Sequence, residues 1–378
     1  MCYVFKPRVI FNPMSLRFKF LAGTLAVSFF FTAALAQPYS AYVNDKDEFY
    51  VMDSLAVSRI EHLAPVSYKI GRNLIAYVDN TKNFKVYQYG QVRQIAEGYT
   101  EDYTVGNGLV VIRANRMLYA YDDSRVVMLS QIVDNYVAGD SIVGFYDNLK
   151  YEFNGYWNGQ IHKLEDGIGG NPVLHMNAGD NVLAYTNQYN NFRIVYQGEI
   201  IDQENRQPVS TRCAANTVAY VDYDNTFKIF YNGETYTLHS SATRHYWVAD
   251  NGLVAYVDNS GNFNIFDKGN VIEIGYYTPS LVRAVDNILV YTDATGGLNV
   301  YYKGKTERIE NHTPTDLRVS SNSVAYTDAS RRVQFYTFGR YADIPNLNVE
   351  GIELDYDVLK IKTGFNSYRF FWKDNAVQ

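Results

Sequence analysis

A phrase of about 35 residues recurs through the chain, and this period constrains the fold more than any other feature of the sequence. It reads NLIAYVDNTKNFKVYQYG at 73–90, NTVAYVDYDNTFKIFYNG at 216–233 and NGLVAYVDNSGNFNIFDKG at 251–269. Ten copies align on one position, which is occupied by Tyr42, Tyr77, Ile112, Phe145, Tyr185, Tyr220, Tyr256, Tyr291, Tyr326 and Ile361. Most neighbouring copies lie 35 residues apart, and a fixed period of this length predicts a repeat architecture.

Each repeat reads as four short strands, which we call A to D. In the repeat around Tyr256 they are RHYWVA (244–249), LVAYVD (253–258), NFNIF (262–266) and VIEI (271–274). The breaks between the strands are short and rich in Asn, Asp and Gly. Such residues tolerate the positive φ angles that tight hairpin turns require. The repeat therefore predicts a four-stranded antiparallel meander.

The polarity of the strands predicts how the repeats pack. Strand B is apolar on both faces, so it must lie in a sheet that is covered on both sides. Strand D carries charges such as Glu273, Glu307 and Arg308, as expected at an outer edge. We therefore predict an all-β fold, a β-propeller of four-stranded blades, with a β-solenoid as the alternative. The 35 tyrosines and 21 phenylalanines agree, because aromatic residues favour strands.

The number of repeats predicts nine or ten blades in one closed ring over residues 37–378, with at least eight clear blades. A smaller ring with a peripheral terminal hairpin, or two small rings, are the alternatives. The first repeat begins at QPYSAYVND (37–45) and lacks room for a strand A, and the last repeat lacks a clear strand D. Because sheets avoid unpaired edges, these incomplete ends predict a ring closed by pairing of the two termini.

The order of elements also resembles a known group of proteins. A short strand A, an Asp/Asn turn, the L-V-A-Y-x-D strand, an aromatic strand C, Asn-Gly and a strand D are similar to WD40-like repeats, above all to exported TolB-type propellers. Variants of A-D-N replace the S-P-D-G turn of TolB-type blades, and the Trp-Asp dipeptide of true WD40 blades is absent. The resemblance implies a propeller fold and an exported location, and it carries over no functional residue.

Residues 1–36 have the pattern of a secretory signal peptide. The basic residues Arg17 and Lys19 precede the apolar run LAGTLAVSFFFTAALA, which ends in an A-x-A cleavage pattern at Ala36. We expect cleavage there, with Met14 as an alternative start and an uncleaved membrane anchor as the alternative fate. The protein is then secreted or periplasmic, in the cell envelope, without stable membrane insertion after cleavage.

The charge of the remaining chain limits its partners. The leader holds four of the 34 basic residues and none of the 40 acidic ones, which leaves a net charge of about −10. An acidic chain without basic blocks is a poor candidate for binding nucleic acid or anionic membranes.

Cys213 is the only cysteine after the leader, so we expect no disulfide and interpret it as a small buried hydrophobe. We expect a monomer.

The repeat is interrupted once by an insertion. The spacing between Phe145 and Tyr185 grows to 40 residues, and the extra segment is KLEDGIGGNPVLHMNAG (163–179). This segment lengthens the connection between strand D and strand A of the next repeat, and such connections lie on the same face as the B–C turns. Aromatic and histidine side chains flank it, and exposed aromatics beside a glycine-rich loop would suit sugar stacking or a protein partner. The candidate binding residues are Tyr156, Trp157, His162 and His175; ordinary strand packing is the alternative for each.

An Asp follows the aligned tyrosine in several repeats, and it opens the B–C turn. These residues are Asp79, Asp222, Asp258, Asp293 and Asp328, together with Asp147 in the repeat anchored on Phe145. Asp side chains cap turns by accepting hydrogen bonds from the backbone two residues on. The alternative is a metal site, but residues spread one per blade do not converge as Ca²⁺ requires. We therefore expect no metal and no other cofactor.

The sequence gives no motif that supports catalysis in a suitable context, such as G-x-S-x-G, H-E-x-x-H, a P-loop or C-x-x-C. We therefore predict a non-catalytic scaffold that binds a protein or glycan through its loop-lined face. The first alternative is a carbohydrate-active hydrolase or lyase with carboxylates or histidine at the central funnel. The second alternative is a structural component of the cell envelope.

Overall fold

The structure is a computed structural model that describes residues 39–167, 172–239, 243, 245–373 and 375–377. The predicted signal peptide lies outside these residues. Within them the chain forms ten successive antiparallel sheets, of which the first has three strands and the others have four. The predicted all-β propeller is confirmed, at the upper end of the predicted blade number. In these residues no helix is long and apolar enough to span a membrane.

The strands follow one another in blade order. Blade 1 contains β1 (Tyr39–Val43), β2 (Phe49–Asp53) and β3 (Ala56–Glu61). Blade 2 contains β4 (Ser67–Ile70), β5 (Ile75–Val78), β6 (Phe84–Gln88) and β7 (Gln91–Ala96). Blade 3 contains β8 (Thr100–Val105), β9 (Leu109–Ala114), β10 (Met117–Asp122) and β11 (Arg125–Ser130). Blade 4 contains β12 (Tyr136–Ala138), β13 (Val143–Asp147), β14 (Glu152–Trp157) and β15 (Gln160–Asp166). Blade 5 contains β16 (Val173–Ala178), β17 (Val182–Asn187), β18 (Phe192–Tyr196) and β19 (Glu199–Glu204).

The second half continues the pattern. Blade 6 contains β20 (Ser210–Ala214), β21 (Thr217–Val221), β22 (Phe227–Tyr231) and β23 (Glu234–His239). Blade 7 contains β24 (His245–Val248), β25 (Leu253–Val257), β26 (Asn262–Asp267) and β27 (Asn270–Tyr276). Blade 8 contains β28 (Val282–Val285), β29 (Ile288–Thr292), β30 (Leu298–Tyr302) and β31 (Lys305–Glu310). Blade 9 contains β32 (Leu317–Ser320), β33 (Ser323–Thr327), β34 (Val333–Thr337) and β35 (Arg340–Ala342). Blade 10 contains β36 (Gly351–Asp355), β37 (Val358–Gly364), β38 (Ser367–Trp372) and β39 (Asn375–Val377).

The apolar core lies between neighbouring blades. In blade 7 every residue of strand B, Leu253–Val257, is buried, because both faces of the sheet pack against adjacent sheets. Tyr256 packs with Phe227 of blade 6, with 5.2 Å between the ring centroids. The repeated tyrosine of blade 7 therefore packs between neighbouring blades.

Tyrosine hydroxyls also link the blades through hydrogen bonds. On strand C, the Tyr87 hydroxyl donates to Asp53 of the preceding blade at 3.0 Å, and Tyr301 donates to Asp267 in the same way at 2.7 Å. On strand B, the Tyr77 hydroxyl donates to Glu61 at the end of the preceding strand D at 2.8 Å. A tyrosine in either place buries its ring and satisfies its polar end, which explains why this residue is so common here.

The ring closes where blade 10 packs face to face on blade 1. Met52 of blade 1 lies in one apolar cluster with Val358 and Phe370 of blade 10. Next to it, the ammonium group of Lys360 donates to the Ala41 carbonyl oxygen at 2.6 Å. The predicted closure by pairing of the termini is wrong for the described residues, since the two blades form separate sheets there.

Blade 10 also has the strand D that the sequence did not reveal, Asn375–Val377. A strand of three residues is too short to show an alternating pattern. Blade 1 has no strand A among the described residues, as expected.

Cys213 is partly buried on strand A of blade 6, and burial raises the pKa of its thiol to about 12, so this cysteine is not a thiolate near neutral pH.

Candidate functional site

The loops of the ring lie on two opposite faces. The B–C turns and D–A connections form one face, which we call the B–C face; in blade 7 they are 258–261 and 277–281. The A–B and C–D turns form the other, the A–B face, at 249–252 and 268–269 in the same blade. Because each blade is a regular meander, this assignment holds around the ring.

Exposed aromatic side chains concentrate on the B–C face. The aromatic residues that are more than half exposed there are Tyr99, Tyr151, Tyr189, Tyr223, Tyr276 and Phe365, with exposed fractions of 54–80%. All lie in or next to B–C turns and D–A connections of different blades. The guanidinium of Arg206 lies over the Tyr223 ring at 4.4 Å. Among the described residues of the A–B face, Tyr89 is more than half exposed, and Phe338 is 37% exposed.

The candidate residues Tyr156 and Trp157 lie elsewhere than expected. Tyr156 is 1% exposed, and its hydroxyl donates to Asp122 of blade 3 at 2.8 Å. Trp157 stacks on His162 with 4.0 Å between ring centroids, next to the C–D turn and hence on the A–B face. The expectation that Tyr156 and Trp157 are exposed beside the inserted segment is therefore wrong, because strand C carries these two residues from the B–C face to the opposite face.

His175 does not join this pair. It lies on strand A of blade 5, where its Nε2 is 2.8 Å from the Asn177 amide nitrogen.

Residues 168–171 of the insertion lie outside the described residues. On their N-terminal side the Gly167 N–H donates to the Tyr151 carbonyl oxygen at 2.7 Å. The insertion thus leaves strand D next to a B–C turn, on the face that the sequence predicted.

The repeated Asp residues cap the B–C turns. In each turn Asp Oδ1 accepts from the backbone N–H four residues on, at 2.8 Å for Asp79, 2.7 Å for Asp222, 2.9 Å for Asp258, 3.0 Å for Asp293 and 2.9 Å for Asp328. Burial alone would raise the pKa of Asp79, but hydrogen bonds led by that from Lys85 outweigh it and lower the pKa to about 2. Within the described part of the chain, no three His, Cys, Asp or Glu side chains are arranged to hold a metal ion.

The A–B turns of distant blades meet at the axis of the ring, a convergence that the repeat pattern does not predict. Arg72 Nη2 of blade 2 lies 3.1 Å from Asp286 Oδ2 of blade 8 and 3.2 Å from the Ser321 hydroxyl of blade 9. Neighbouring turns approach so closely that a Cβ on Gly139 would lie 1.7 Å from the Gly179 carbonyl oxygen. Only glycine fits at that place.

Four carboxyl groups surround this meeting point, and we call them the central cluster: Asp140, Asp180, Asp250 and Asp286. Burial, followed by the charge of Asp286, raises the pKa of Asp140 to about 6. Burial and then the neighbouring carboxyl groups raise the pKa of Asp180 and of Asp250 to about 7. The sequence signal was an acidic residue in the A–B turn of each of these four blades, but the sequence does not reveal that the four turns converge.

Comparison with known sequences supports the architecture. The profile described as "10-bladed beta propeller domain" matches residues 33–376. The chain belongs to this ten-bladed β-propeller family. The match agrees with the ten sheets of the structure and begins within the last residues of the predicted signal peptide. No curated protein matches the sequence of this propeller.

Solved propellers show a distant likeness to this propeller. The computationally designed Ika8 protein is 16% identical, with 73% of this chain and 98% of that chain covered and a TM-score of 0.35. Prp20p of Saccharomyces cerevisiae, whose binding to Gsp1p and histones has been described, is 8% identical, with 58% and 80% covered and a TM-score of 0.33. The WD40 ectodomain of the Arabidopsis thaliana receptor kinase ACR4 is 8% identical, with 63% and 94% covered and a TM-score of 0.35. At these values the likeness supports no statement about function.

Proposed function

We propose that this propeller is an exported, non-catalytic scaffold that presents its B–C face to a protein partner. The observation that carries the proposal is the set of six exposed aromatic side chains on that face. Exposed apolar surface is costly in water unless a partner covers it, and tyrosines are enriched in protein interfaces. The signal-peptide pattern of residues 1–36 supports export, as does the resemblance to TolB-type blades.

A protein partner suits the distribution of these side chains better than a glycan. The six aromatics belong to different blades and do not converge in one groove. Exposed aliphatic side chains, including Val66, Leu149 and Val209, lie on the same face and extend the apolar area. A broad surface with scattered aromatic anchors is typical of protein interfaces, whereas a sugar ring needs aromatic and polar groups at one place.

Capture experiments with matched variants test this proposal. The full-length exported protein is immobilised, and proteins retained from the culture's own envelope fraction are compared between variants. We expect Tyr189→Ala/Tyr223→Ala/Tyr276→Ala to lose the retained partner. The control Tyr89→Ala/Phe338→Ala, which removes exposed aromatics from the A–B face, should retain it. Loss in the control and retention in the triple variant would place the interface on the other face and overturn the proposal.

The central cluster favours a second candidate function, a carbohydrate-active hydrolase on the A–B face. Carboxyl groups whose pKa is near 7 can serve as general acids, and perturbed pKa values are common at active sites. The test is release of reducing sugar from a panel of polysaccharides by the wild-type protein. Hydrolysis that Asp180→Asn abolishes without lowering the melting temperature would establish this function. The absence of hydrolysis across the panel would support the non-catalytic scaffold.

A further inference from the structure

A pocket of about 340 Å³ opens on the B–C face between blades 2 and 3. Val78 and Tyr103 are buried in its wall, and Val66 and Tyr99 are exposed at its rim. The Tyr103 ring is held in place, since its hydroxyl donates to the Ser67 hydroxyl at 3.1 Å. The pocket is therefore mainly apolar, and its size suits one large side chain or a small ligand.

The pocket lies where the repeat changes. The D–A connection that leads into blade 3 has three residues, 97–99, whereas the other D–A connections have five or more. The B–C turn of blade 3 is reduced to Asn115 and Arg116. Fewer loop residues therefore cover this junction than the other junctions that a D–A connection spans.

The side chains below the pocket also differ from the repeat. Ile112 replaces the strand B tyrosine, and Ala96 replaces the acidic residue at the end of the preceding strand D; both pack in one apolar cluster. At the junction before it, Tyr77 and Glu61 occupy these positions and form a hydrogen bond. The base of the pocket is therefore apolar, whereas the equivalent place at the junction between blades 1 and 2 is polar.

The charged side chains that line the pocket, together with Arg113, which pairs with both carboxylates, sum to one positive charge. The carboxylates of Glu101 and Asp102 both form ion pairs with Arg113. The Lys69 ammonium donates to the Tyr103 carbonyl oxygen at 2.5 Å. Lys82, on the B–C turn of blade 2, is exposed and forms no ion pair with any described residue. A ligand with a carboxylate next to its apolar group would complement this arrangement.

We propose that this pocket binds a large apolar side chain of a protein partner that is followed by an acidic residue. The apolar side chain packs against Val66, Val78, Tyr99 and Tyr103, and the acidic residue pairs with Lys82. The inference rests on the proposed function and names the anchor point of that partner. Apolar anchors in well-packed pockets are the places where protein interfaces concentrate their binding energy, and the charge at the rim adds specificity.

Short peptides test the pocket directly. The full-length protein is titrated with acetyl-Gly-Phe-Asp-amide, in which the phenylalanine carries one fluorine, and binding is followed by ¹⁹F NMR. We expect a dissociation constant in the millimolar range for this peptide. The Asp-to-Asn peptide should bind at least threefold more weakly, because it lacks the charge. The peptide with alanine in place of phenylalanine, added as an unlabelled competitor, should not displace the fluorinated peptide, and displacement at equal concentration would overturn the proposal.

Two matched pairs of variants locate the binding site. Val66→Glu should abolish peptide binding, whereas Val209→Glu, at the same place before strand A of blade 6 and similarly exposed, should leave it unchanged. Lys82→Gln should reduce affinity for the Asp peptide to that for the Asn peptide, whereas Arg331→Gln, in the same position of the blade 9 turn, should not. Equal effects within either pair contradict the assignment.

The outcomes also separate this inference from the proposed function. If the envelope partner is captured by the B–C face and no peptide binds to the pocket, the pocket assignment fails and the scaffold proposal stands. If peptides bind with the expected variant pattern and the triple tyrosine variant still captures its partner, the broad interface fails and the pocket stands.

Discussion

Lys360 is the residue whose replacement tests the closure of the ring. Its side chain is 2% exposed, and its ammonium group lies 2.7 Å from Glu353 and 3.6 Å from Asp355 within blade 10. It also donates to the Ala41 carbonyl oxygen of blade 1 at 2.6 Å. Ala41 lies on β1, whose inner edge is not covered by a strand of blade 1 in the described residues. The lysine therefore donates the hydrogen bond to the Ala41 carbonyl oxygen that a backbone N–H of a strand A would donate in a complete blade.

Replacing this lysine by methionine keeps most of the side-chain volume and removes the charge. Removing one partner of a buried ion pair typically costs about 3–5 kcal/mol. The unpaired Ala41 carbonyl oxygen adds to this cost, since a buried polar group without a hydrogen bond costs about 1–3 kcal/mol. Because Glu353 is largely exposed and can be rehydrated, we expect a loss near the lower end of this sum, about 4 kcal/mol in the free energy of unfolding.

Lys362→Met is the matched control on the same strand. Lys362 pairs with Asp45 of blade 1 at 3.7 Å, but its side chain is 36% exposed. An exposed pair of this kind contributes about 0–1 kcal/mol. The assay is equilibrium unfolding in urea at pH 7, followed by tryptophan fluorescence, with the free energy obtained by linear extrapolation.

The predicted result is a loss for Lys360→Met that exceeds the loss for Lys362→Met by about 3 kcal/mol. A difference below about 1 kcal/mol would show that the junction between blades 10 and 1 does not depend on this lysine. Burial lowers the pKa of Lys360, but Asp355, Tyr68 and Glu353 outweigh it and raise the pKa above the ordinary lysine value. Its contribution is therefore complete at pH 7 and is lost only as the pH rises through that raised pKa.

Three further predictions concern single residues. Burial raises the folded-state pKa of Asp180 to about 7, so the fold favours the protonated form and the free energy of unfolding falls as the pH rises from about 4 to about 7. Asp180→Asn should reduce this fall by up to about 4 kcal/mol. The measurement is urea unfolding of both proteins at pH 4 and pH 7. Tyr220→Phe should cost about 1.5–3 kcal/mol, because it removes the hydroxyl that donates to Glu204 at 2.9 Å, and a loss below about 0.5 kcal/mol in the same assay would refute that role. Trp157→Ala should lower stability by about 2 kcal/mol, since the partly buried ring stacks on His162, and should leave partner capture unchanged; lost capture with unchanged stability would restore Trp157 as a binding residue.

Much of the fold follows from the sequence because the repeat carries it. The period, the turn residues and the two-sided apolar strand B predict each blade, and in blade 7 the strands lie within two residues of the predicted bounds. The closure of the ring does not follow. Lys360 replaces the alanine of the repeated phrase, and only the ring brings it to Ala41, 319 residues away in sequence.

The candidate site was harder to predict, for a geometric reason. Trp157 is close in sequence to the insertion, but a six-residue strand C spans about 17 Å and carries it to the opposite face. The central cluster needs Arg72 and Asp286, 214 residues apart, to meet at the axis. The signal for the pocket was present, because Ile112 departs from the tyrosine of the repeat. Ile112 alone does not predict a pocket, because the lengths of the loops above it follow from the strand bounds, which the structure supplies.

Hydrogen exchange of the full-length protein, measured with and without the captured envelope partner, tests the central claim most directly. The account predicts slower exchange on binding at the B–C turns and D–A connections, including 148–151, 187–191, 222–226 and 277–281, and at the rim of the pocket between blades 2 and 3. It predicts no change in the A–B and C–D turns. Protection of the A–B turns around Asp180 and Asp250, with unchanged exchange on the B–C face, would contradict it.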